Sequence, residues 1–214
     1  RPTSLAELLF ELDDLVHRHD HVEFGLFPHT ATALLRIADR TSEPAAPRGR
    51  WSHRADEGTL LHNRALDLAC RAGRAAPAAI PALNRAAAAA SRPAERTGRG
   101  HRVLGRRHPV RFTGTEWAMP RAAARDAVRA IHLAGSRHDV NLPIGVRFVA
   151  GDTDGLLSPA WGRDSVYVAA RMYRGMGWEP YFRAVQDIAR SFEGRPHWGA
   201  RHLLGADELA PLYP

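Results

Sequence analysis

Hydrophobic residues follow a helical period at the start of the chain and a strand period directly after it. Leucines recur every three or four positions over residues 5–19, which predicts a helix, and Ser4 with Glu7 predicts a capping box at its N-terminus. Apolar and polar residues alternate over residues 22–27, which predicts a strand. Residues 29–40 are predicted to form a short helix or an irregular segment.

The same two periods continue through the rest of the chain, with glycine and proline between the elements. Further helices are predicted over residues 58–73, 78–91, 121–136 and 181–192 and from 206 onward, and further strands over residues 110–119, 144–150 and 165–173. The helices are not spaced regularly between the strands, as a parallel βαβ sheet would require. We therefore predict an α+β fold in which α-helices cover one face of an antiparallel β-sheet.

Length and composition predict a single domain over residues 1–214. A chain of 214 residues with 44% hydrophobic and 25% charged content can bury an ordinary core. No apolar stretch approaches the roughly 20 residues of a membrane-spanning helix. We expect a cytoplasmic protein and leave peripheral attachment to a membrane open. Because helical patterns run close to both ends, we also expect the domain to be truncated at both ends relative to a longer protein.

Basic charge is concentrated in one segment of the chain. All 30 basic residues are arginine, and residues 92–111 contain seven of them against one glutamate, so this segment carries most of the net charge of +7. Residues 92–110 are predicted to be an arginine-rich connector. Such a segment can contact nucleic-acid phosphates, but it has no aromatic residue before Phe112 on which bases could stack. Nucleic-acid binding is therefore the weakest functional hypothesis for this chain.

Sequence motifs for metals and nucleotides are weak or absent. Without lysine the chain cannot form a lysine-dependent phosphate loop, and no glycine-rich dinucleotide fingerprint follows a predicted strand. His17, His19 and His21 alternate, but the run straddles a predicted helix end, so the three side chains would not share one face. Asp152 and Asp154 begin like a calcium loop whose later ligand positions are missing. We therefore predict no metal site.

Four longer stretches together carry a more specific signal. They cover residues 20–30, 112–120, 142–149 and 194–202, and the last one reads Gly-Arg-Pro-His-Trp-Gly-Ala-Arg-His. In this order and spacing they resemble the C-terminal domain of the aldonolactone oxidases. That family comprises the D-arabinono-1,4-lactone, L-gulono-1,4-lactone and alditol oxidases of the vanillyl-alcohol-oxidase class of flavoproteins. The resemblance covers nearly the whole chain.

The resemblance implies that the chain is one half of a flavoenzyme. In this family an N-terminal domain binds FAD, and the C-terminal domain caps the flavin ring and holds the sugar substrate, whose carbinol carbon gives a hydride to the flavin. For this chain the resemblance implies FAD as the cofactor, bound mainly by a domain outside these residues. It implies a flavin-binding domain or subunit as the partner, and a sugar lactone or polyol as the small-molecule substrate.

The resemblance also implies the residues of the site. The family places a Glu-x-Arg pair on a strand and a His-Trp-Gly-Lys motif opposite it, and Arg147 and His197 match these motifs. The expected catalytic residues are Arg147, His197 and Glu116, the expected substrate-binding residues are Tyr173, Arg195 and Arg201, and the expected cofactor-binding residues are Trp198, Gly199 and His202. Arg147 is expected to orient and polarise the substrate oxygen.

Two positions depart from the family pattern. Gly145 stands where the family has glutamate and Ala200 where it has lysine, and neither side chain can carry charge or transfer a proton. Arg147 would then either hold an anionic group, such as a carboxylate or enolate substrate, or pair with Glu116 or Asp152, or belong to a site that has fallen out of use. The alternative function is a flavin-free domain that binds a small molecule or catalyses a non-redox step such as cyclisation or elimination.

Overall fold

Seven strands form one antiparallel sheet in the computed structural model, which describes residues 1–43, 64–93, 95, 97–105 and 110–213. The strands are β1 (Pro2–Ser4), β2 (His21–Leu26), β3 (Thr32–Ala38), β4 (Phe112–Pro120), β5 (Ile144–Val149), β6 (Ser165–Tyr173) and β7 (Arg195–Pro196). Their order across the sheet is β1-β3-β2-β5-β6-β4-β7, and every neighbouring pair is antiparallel. The predicted antiparallel α+β architecture is confirmed.

The helices of the described residues lie mainly before β4 and after β6. They are α1 (Leu5–Phe10), α2 (Leu12–Arg18), α3 (residues 64–75), α4 (Ile80–Ala89), α5 (Gly100–Val103), α6 (Ala124–Gly135), α7 (Glu179–Ser191) and α8 (Ala206–Leu209). None of these helices has the length and apolar character needed to cross a bilayer. The first residues of the helix predicted over 58–73, and residues 94, 96 and 106–109 of the predicted arginine-rich connector, lie outside the described residues.

One face of the sheet packs against α1, α2, α6 and α7 and forms the main core. The alternation that predicts the strands also explains this face, because Phe24, Val146 and Val168 project from the same side of adjacent strands and are buried. The amphipathic helices α6 and α7 supply Ile131 and Tyr181, which are completely buried. Burying an apolar side chain such as that of Ile131 stabilises the fold by about 1.5–3 kcal/mol.

The start of the chain differs from the prediction in two ways. The helix predicted over residues 5–19 is two helices, because the chain leaves helical geometry at Glu11 between α1 and α2. Ser4 is the N-cap residue of α1, as predicted, but its side chain makes no capping hydrogen bond, so the predicted capping box does not form. Ser4 instead pairs with β3 as part of β1, and the Leu5 N–H donates to the carbonyl oxygen of Ala31 at 2.8 Å. Pairing with a distant strand replaces local capping here.

The short helix or irregular segment predicted over residues 29–40 is also wrong, because most of this stretch forms β3. Its apolar residues are compatible with both a helical and a strand period. Hydrogen bonding to β2 on one side and to β1 on the other stabilises the strand conformation. His29 makes the connection from β2 in the left-handed region, with φ of 65°. The strand β7 has only two residues and carries no detectable period.

The C-terminal end of α7 directs the chain into β7 through a Schellman motif. The N–H groups of Glu193 and Gly194 donate to the carbonyl oxygens of Arg190 at 3.1 Å and Ala189 at 2.8 Å. A Cβ atom on Gly194 would lie 2.6 Å from the Ala189 carbonyl oxygen, so only glycine permits this approach. Glu193 adopts the left-handed conformation with φ of 55°, which is unfavourable for a residue with a side chain.

Replacing Glu193 by glycine is expected to raise the free energy of unfolding by about 0.5–1 kcal/mol, because glycine adopts positive φ without steric cost. Urea unfolding would measure the change. The matched control is Glu193→Ala, which removes the same exposed carboxylate near Arg163 but keeps the backbone cost. We expect the alanine variant to be no more stable than the starting protein, and equal stability of the two variants would contradict the assignment of strain to this position.

Candidate functional site

Charged and aromatic side chains collect on the sheet face that α1, α2, α6 and α7 do not cover. Because side chains alternate between the two faces along a strand, the neighbours of the core residues point to this second face. The register sets Arg147 of β5 beside Tyr167 of β6. Glu116 of β4 lies across β6 on the same face, and His197 directly follows β7. We call Glu116, Arg147, Tyr167 and His197 the charged patch.

Arg147 is held at the centre of the charged patch by two contacts. Its Nη2 atom lies 3.0 Å from Oε1 of Glu116, and its Cζ atom lies 4.9 Å from the centroid of the Tyr167 ring. The Arg147 side chain is 50% exposed and the Glu116 side chain 20%, so the guanidinium is oriented from one side and accessible from the other. Of the two partners considered from the sequence, Glu116 is the one found. Asp152 instead accepts the N–H of Gly155 within a turn.

His197 is joined to the patch through its backbone and its ring. Its N–H donates to the carbonyl oxygen of Glu116 at 2.8 Å, and its ring centroid lies 6.3 Å from that of Tyr167 in an edge-to-face arrangement. The Gly199 N–H donates to Nδ1 of His197 at 3.0 Å. A neutral His197 ring therefore carries its proton on Nε2, which makes that atom a hydrogen-bond donor.

Tyr167 forms the buried base of the patch. It packs with Ala118, Ala160 and Val149 in a small apolar cluster on this second face. Burial raises the pKa of its hydroxyl, although the neighbouring Arg147 cation acts in the opposite direction. Tyr167 therefore stays neutral at physiological pH and serves as a flat support for the guanidinium.

Trp198 and Tyr213 border the charged patch beside β7. Their ring centroids lie 4.9 Å apart, and the Trp198 side chain remains 46% exposed. The Tyr213 hydroxyl donates to the carbonyl oxygen of Pro196, and burial raises the pKa of that hydroxyl to about 12. The indole of Trp198 thus packs against Tyr213, is partly exposed, and belongs to the residue that directly follows His197 of the patch.

Tyr173, expected to bind substrate, anchors a helix in this structure. Its hydroxyl donates to Oδ1 of Asp67 in α3 at 3.0 Å, and Arg74 of α3 lies over its ring at 5.6 Å. Tyr173 is buried in a second small cluster with Cys70 and Leu142. It lies on the same face as the charged patch but at the far end of β6.

Arg195 and Arg201, also expected to bind substrate, contact other parts of the fold. Arg195 donates through Nη1 to the carbonyl oxygen of Trp161 at 2.6 Å and so holds the loop that precedes β6. The Arg201 guanidinium lies 5.1 Å from the ring centroid of Trp178, the residue before α7. The Arg201 N–H donates to the carbonyl oxygen of Gly114 at 2.9 Å, which extends the pairing along β4.

Gly199 and His202, expected to bind cofactor, have different surroundings. A Cβ atom on Gly199 would lie 3.2 Å from Cε1 of His197, so this glycine leaves room for the His197 ring. His202 is half-buried, and its Nδ1 atom has no hydrogen-bond partner in the part of the chain that the structure describes. Gly199 therefore shapes the patch, while no described contact joins His202 to it.

Gly145 and Ala200, the two positions expected to depart from the family motifs, lie on β5 and in the turn after His197. The N–H of Ala200 donates to the carbonyl oxygen of His197 at 2.9 Å and closes a tight turn. At Gly145 a Cβ atom would lie 3.2 Å from Nη1 of Arg171, so the guanidinium of Arg171 lies over this glycine. Sequence reasoning did not single out Arg171 or Tyr167. Both lie an even number of positions from Tyr173 in the predicted strand over 165–173, so their side chains are expected on the same face as that of Tyr173.

No group of three or more His, Cys, Asp or Glu side chains converges to hold a metal ion among the described residues. The Nδ1 atom of His19 lies within hydrogen-bond distance of Oδ2 of Asp39, at 2.8 Å. Cys70 is buried, which raises the pKa of its thiol to about 12, so it is chemically inert. The charged patch is therefore the best candidate site in this part of the molecule.

Comparison with known proteins identifies the family of this chain. The family model for D-arabinono-1,4-lactone oxidase matches residues 1–214. This chain belongs to the D-arabinono-1,4-lactone oxidase family. It is 40% identical over 213 residues to L-gulono-1,4-lactone dehydrogenase of Mycobacterium tuberculosis, covering 99% of this chain and 49% of that protein. It is 29% identical to L-gulonolactone oxidase of Scyliorhinus torazame, covering 100% of this chain and 49% of that protein.

A solved structure with lower sequence identity to this chain has a similar fold. A solvent-stable cholesterol oxidase matches with a TM-score of 0.51 and 15% sequence identity, over 88% of this chain and 44% of that chain. The chain spans about half the length of the curated relatives it matches, and the match is to their C-terminal half. This member of the D-arabinono-1,4-lactone oxidase family thus corresponds to one half of a longer relative.

Proposed function

We propose that this chain is the substrate-capping half of an FAD-linked oxidoreductase that oxidises a carbinol carbon of a sugar lactone or polyol. Membership of the D-arabinono-1,4-lactone oxidase family supports the reaction class. The observation that carries the proposal is the accessible Arg147 guanidinium, held by Glu116 and Tyr167 on one sheet face. A fixed cation on an accessible surface suits a substrate oxygen that becomes negative as the carbinol is oxidised.

The chemistry of the charged patch fits a flavin placed against it. Arg147 and the Nε2–H of His197 are hydrogen-bond donors, and the exposed Trp198 indole offers an apolar plane beside them. Flavin, when bound, supplies the acceptor for the hydride from the substrate. The pyrophosphate and adenine contacts are assigned to a flavin-binding domain or subunit, which is the proposed partner of this chain.

The residues of this chain bind and orient the substrate. Arg147 donates hydrogen bonds to the substrate hydroxyl oxygen and stabilises the negative charge that develops there as the hydroxyl proton passes to solvent water and the carbinol carbon gives its hydride to the flavin. Glu116 acts as a positioning residue, because it fixes the guanidinium at 3.0 Å without needing to reach the substrate. His197 offers a second donor at Nε2, whose direction is set by the Gly199 N–H on the opposite nitrogen.

The test combines this chain with its flavin-binding domain or subunit; we call this combination the assembled protein. We expect a yellow assembled protein whose flavin loses its visible absorbance when L-gulono-1,4-lactone or another sugar lactone or polyol is added without oxygen. Rapid-mixing spectroscopy would give the rate constant of reduction. The control is the flavin-binding part alone, which lacks the charged patch and should be reduced far more slowly.

Two outcomes would contradict the proposal. An assembled protein that stays colourless with added FAD would show that no flavin site is completed. A yellow protein that no sugar lactone or polyol reduces would show that the patch does not support oxidation. Selective binding of a small molecule by the isolated chain, without flavin, would then favour the alternative of a flavin-free domain.

A further inference from the structure

The connection between β2 and β3 is held against the end of α6 and against α4. The N–H of His29 donates to Oγ of Ser136, the residue after α6, at 2.9 Å. On the other side, Nδ2 of the buried Asn84 in α4 donates to the carbonyl oxygen of Pro28 at 3.1 Å. Side chains from two parts of the fold therefore bind the backbone of this connection.

Two features of His29 make this docked arrangement costly. Its φ of 65° lies in the left-handed region, which is unfavourable for a residue with a side chain. Its Nε2 atom is buried and has no hydrogen-bond partner among residues 1–43, 64–93, 95, 97–105 and 110–213. Because both costs fall on one residue, a small additional cost at His29 is enough to release the connection.

Protonation of the His29 ring supplies such a cost. A neutral imidazole has one nitrogen without a proton, so Nε2 can be buried as a bare acceptor, whereas the protonated ring carries an N–H at both nitrogens. A buried N–H without an acceptor is unfavourable, and so is a charged ring out of contact with water. Burial accordingly lowers the pKa of His29 below its ordinary value of 6.5.

The charged groups that face His29 act in both directions. Arg85 of α4 opposes a positive charge on the ring, and so does His132 of α6 once it is protonated. Asp139 favours that charge, as does the hydrogen bond between the ring and the backbone of His138. Loss of contact with water is the largest effect, so the pKa of His29 remains lowered.

The other two histidines at this end of α6 are hydrogen-bonded to the backbone. Nε2 of His132 lies 3.3 Å from the carbonyl oxygen of Phe27, and Nδ1 of His138 lies 2.8 Å from that of Ala134. Since a carbonyl oxygen accepts an N–H in either protonation state, both rings can stay in place when they are protonated. His29 is therefore the histidine of this cluster whose protonation disrupts the packing.

We infer that His29 is a pH-sensitive switch in the fold: its neutral ring keeps the β2–β3 connection docked, and its protonation releases the connection. The sign follows from linkage. Because the pKa of His29 is lower in the docked state than in the released state, docking has its full stability above about pH 6.5 and loses stability as the pH falls through that value. The inference concerns the fold alone and does not depend on flavin or substrate.

The test measures hydrogen exchange in the assembled protein by mass spectrometry. Peptides that cover residues 27–33 contain the His29 amide, which exchanges when the connection leaves Ser136. Each rate is divided by the intrinsic rate at the same pH to give a protection factor. Between pH 7.5 and pH 5.0 we expect this factor to fall by more than about threefold and by up to about 30-fold, the limit that linkage sets for a released group of pKa 6.5.

Three variants make the test specific. His29→Asn removes the titrating ring, and asparagine tolerates the left-handed conformation, so the protection factor should agree within twofold at the two pH values. His29→Gly should give the same result, because glycine adopts positive φ without steric cost. The matched control is His17→Asn, which removes an exposed histidine from α2 and should keep the full pH dependence.

Each outcome either supports or overturns the inference. A protection factor over residues 27–33 that is equal at pH 7.5 and pH 5.0 in the starting protein would overturn it. A loss that persists in both His29→Asn and His29→Gly would assign the effect to another group, and an equal loss in peptides of α7 would show general unfolding by acid. A loss confined to this segment and absent from both variants would support the switch, whether or not any sugar reduces the flavin.

Discussion

Flavin reduction in the assembled protein is expected to fall by about 100- to 1,000-fold when Arg147 is replaced by methionine, as when a donor to a developing oxyanion is removed. Methionine keeps much of the side-chain length but removes the charge and every donor. The Arg147 guanidinium is half exposed and is already oriented by Glu116 at 3.0 Å and by the Tyr167 ring. No reorganisation is then needed when the substrate oxygen becomes negative. Rapid-mixing spectroscopy without oxygen would measure the rate constant at saturating substrate.

Two companion variants show whether Arg147 acts directly. Glu116→Gln leaves the guanidinium present but weakens its orientation, so we expect a smaller loss of about tenfold in the same rate constant. Arg129→Met removes an exposed arginine on α6 and should have no effect. A reduction rate within threefold of the starting protein in Arg147→Met, with unchanged circular dichroism, would exclude Arg147 as the polarising group.

Replacing Trp117 by alanine is expected to lower the free energy of unfolding by about 3–5 kcal/mol, the usual cost of removing a buried aromatic side chain. Trp117 is completely buried in the main core, and its Nε1–H donates to Oγ1 of Thr115 at 2.9 Å. The variant leaves a cavity between the sheet and its helices, and it leaves the Thr115 hydroxyl without that donor. Because single domains are stable by only about 5–15 kcal/mol, a large share of the total would be lost.

Urea unfolding followed by circular dichroism would measure this loss. Leu133→Ala is the control, since Leu133 on α6 is 52% exposed and should cost well under 1 kcal/mol. Trp117 belongs to β4, the strand that also carries Glu116 on the opposite face. A loss below 1 kcal/mol in Trp117→Ala would show that this side of β4 does not anchor the sheet.

The two faces of β4 are expected to have different roles, one in stability and the other in the candidate site. Trp117 fixes β4 in the core, and Glu116, one residue earlier, holds Arg147 on the other face. The alternation of side chains along a strand produces this division without any special local geometry. Variants on the core face should therefore change stability, and variants on the patch face should change binding and rate.

Local sequence patterns predicted the elements that have a strong period of their own. Four strands, β2, β4, β5 and β6, lie within about two residues of their predicted limits, because β-branched and aromatic residues recur in them. The helices α6 and α7 also lie near their predictions, since each has one continuous apolar stripe. The motifs that carry the family resemblance lie on or beside these same strands, which is why Arg147, Glu116 and His197 could be named before the fold was known.

The amino-acid sequence by itself determined the fold class, the family and three of the four residues of the charged patch, because these depend on side-chain period and motif order. Only the tertiary structure decided that β1, β3 and β7 are strands, since their hydrogen-bond partners lie far away in the chain. It also decided that Arg147 pairs with Glu116, 31 positions away, because β6 places β5 and β4 on its two sides. The position of Arg171 over Gly145 has the same origin. A side chain that crosses to the next strand leaves no pattern in the sequence of its own strand.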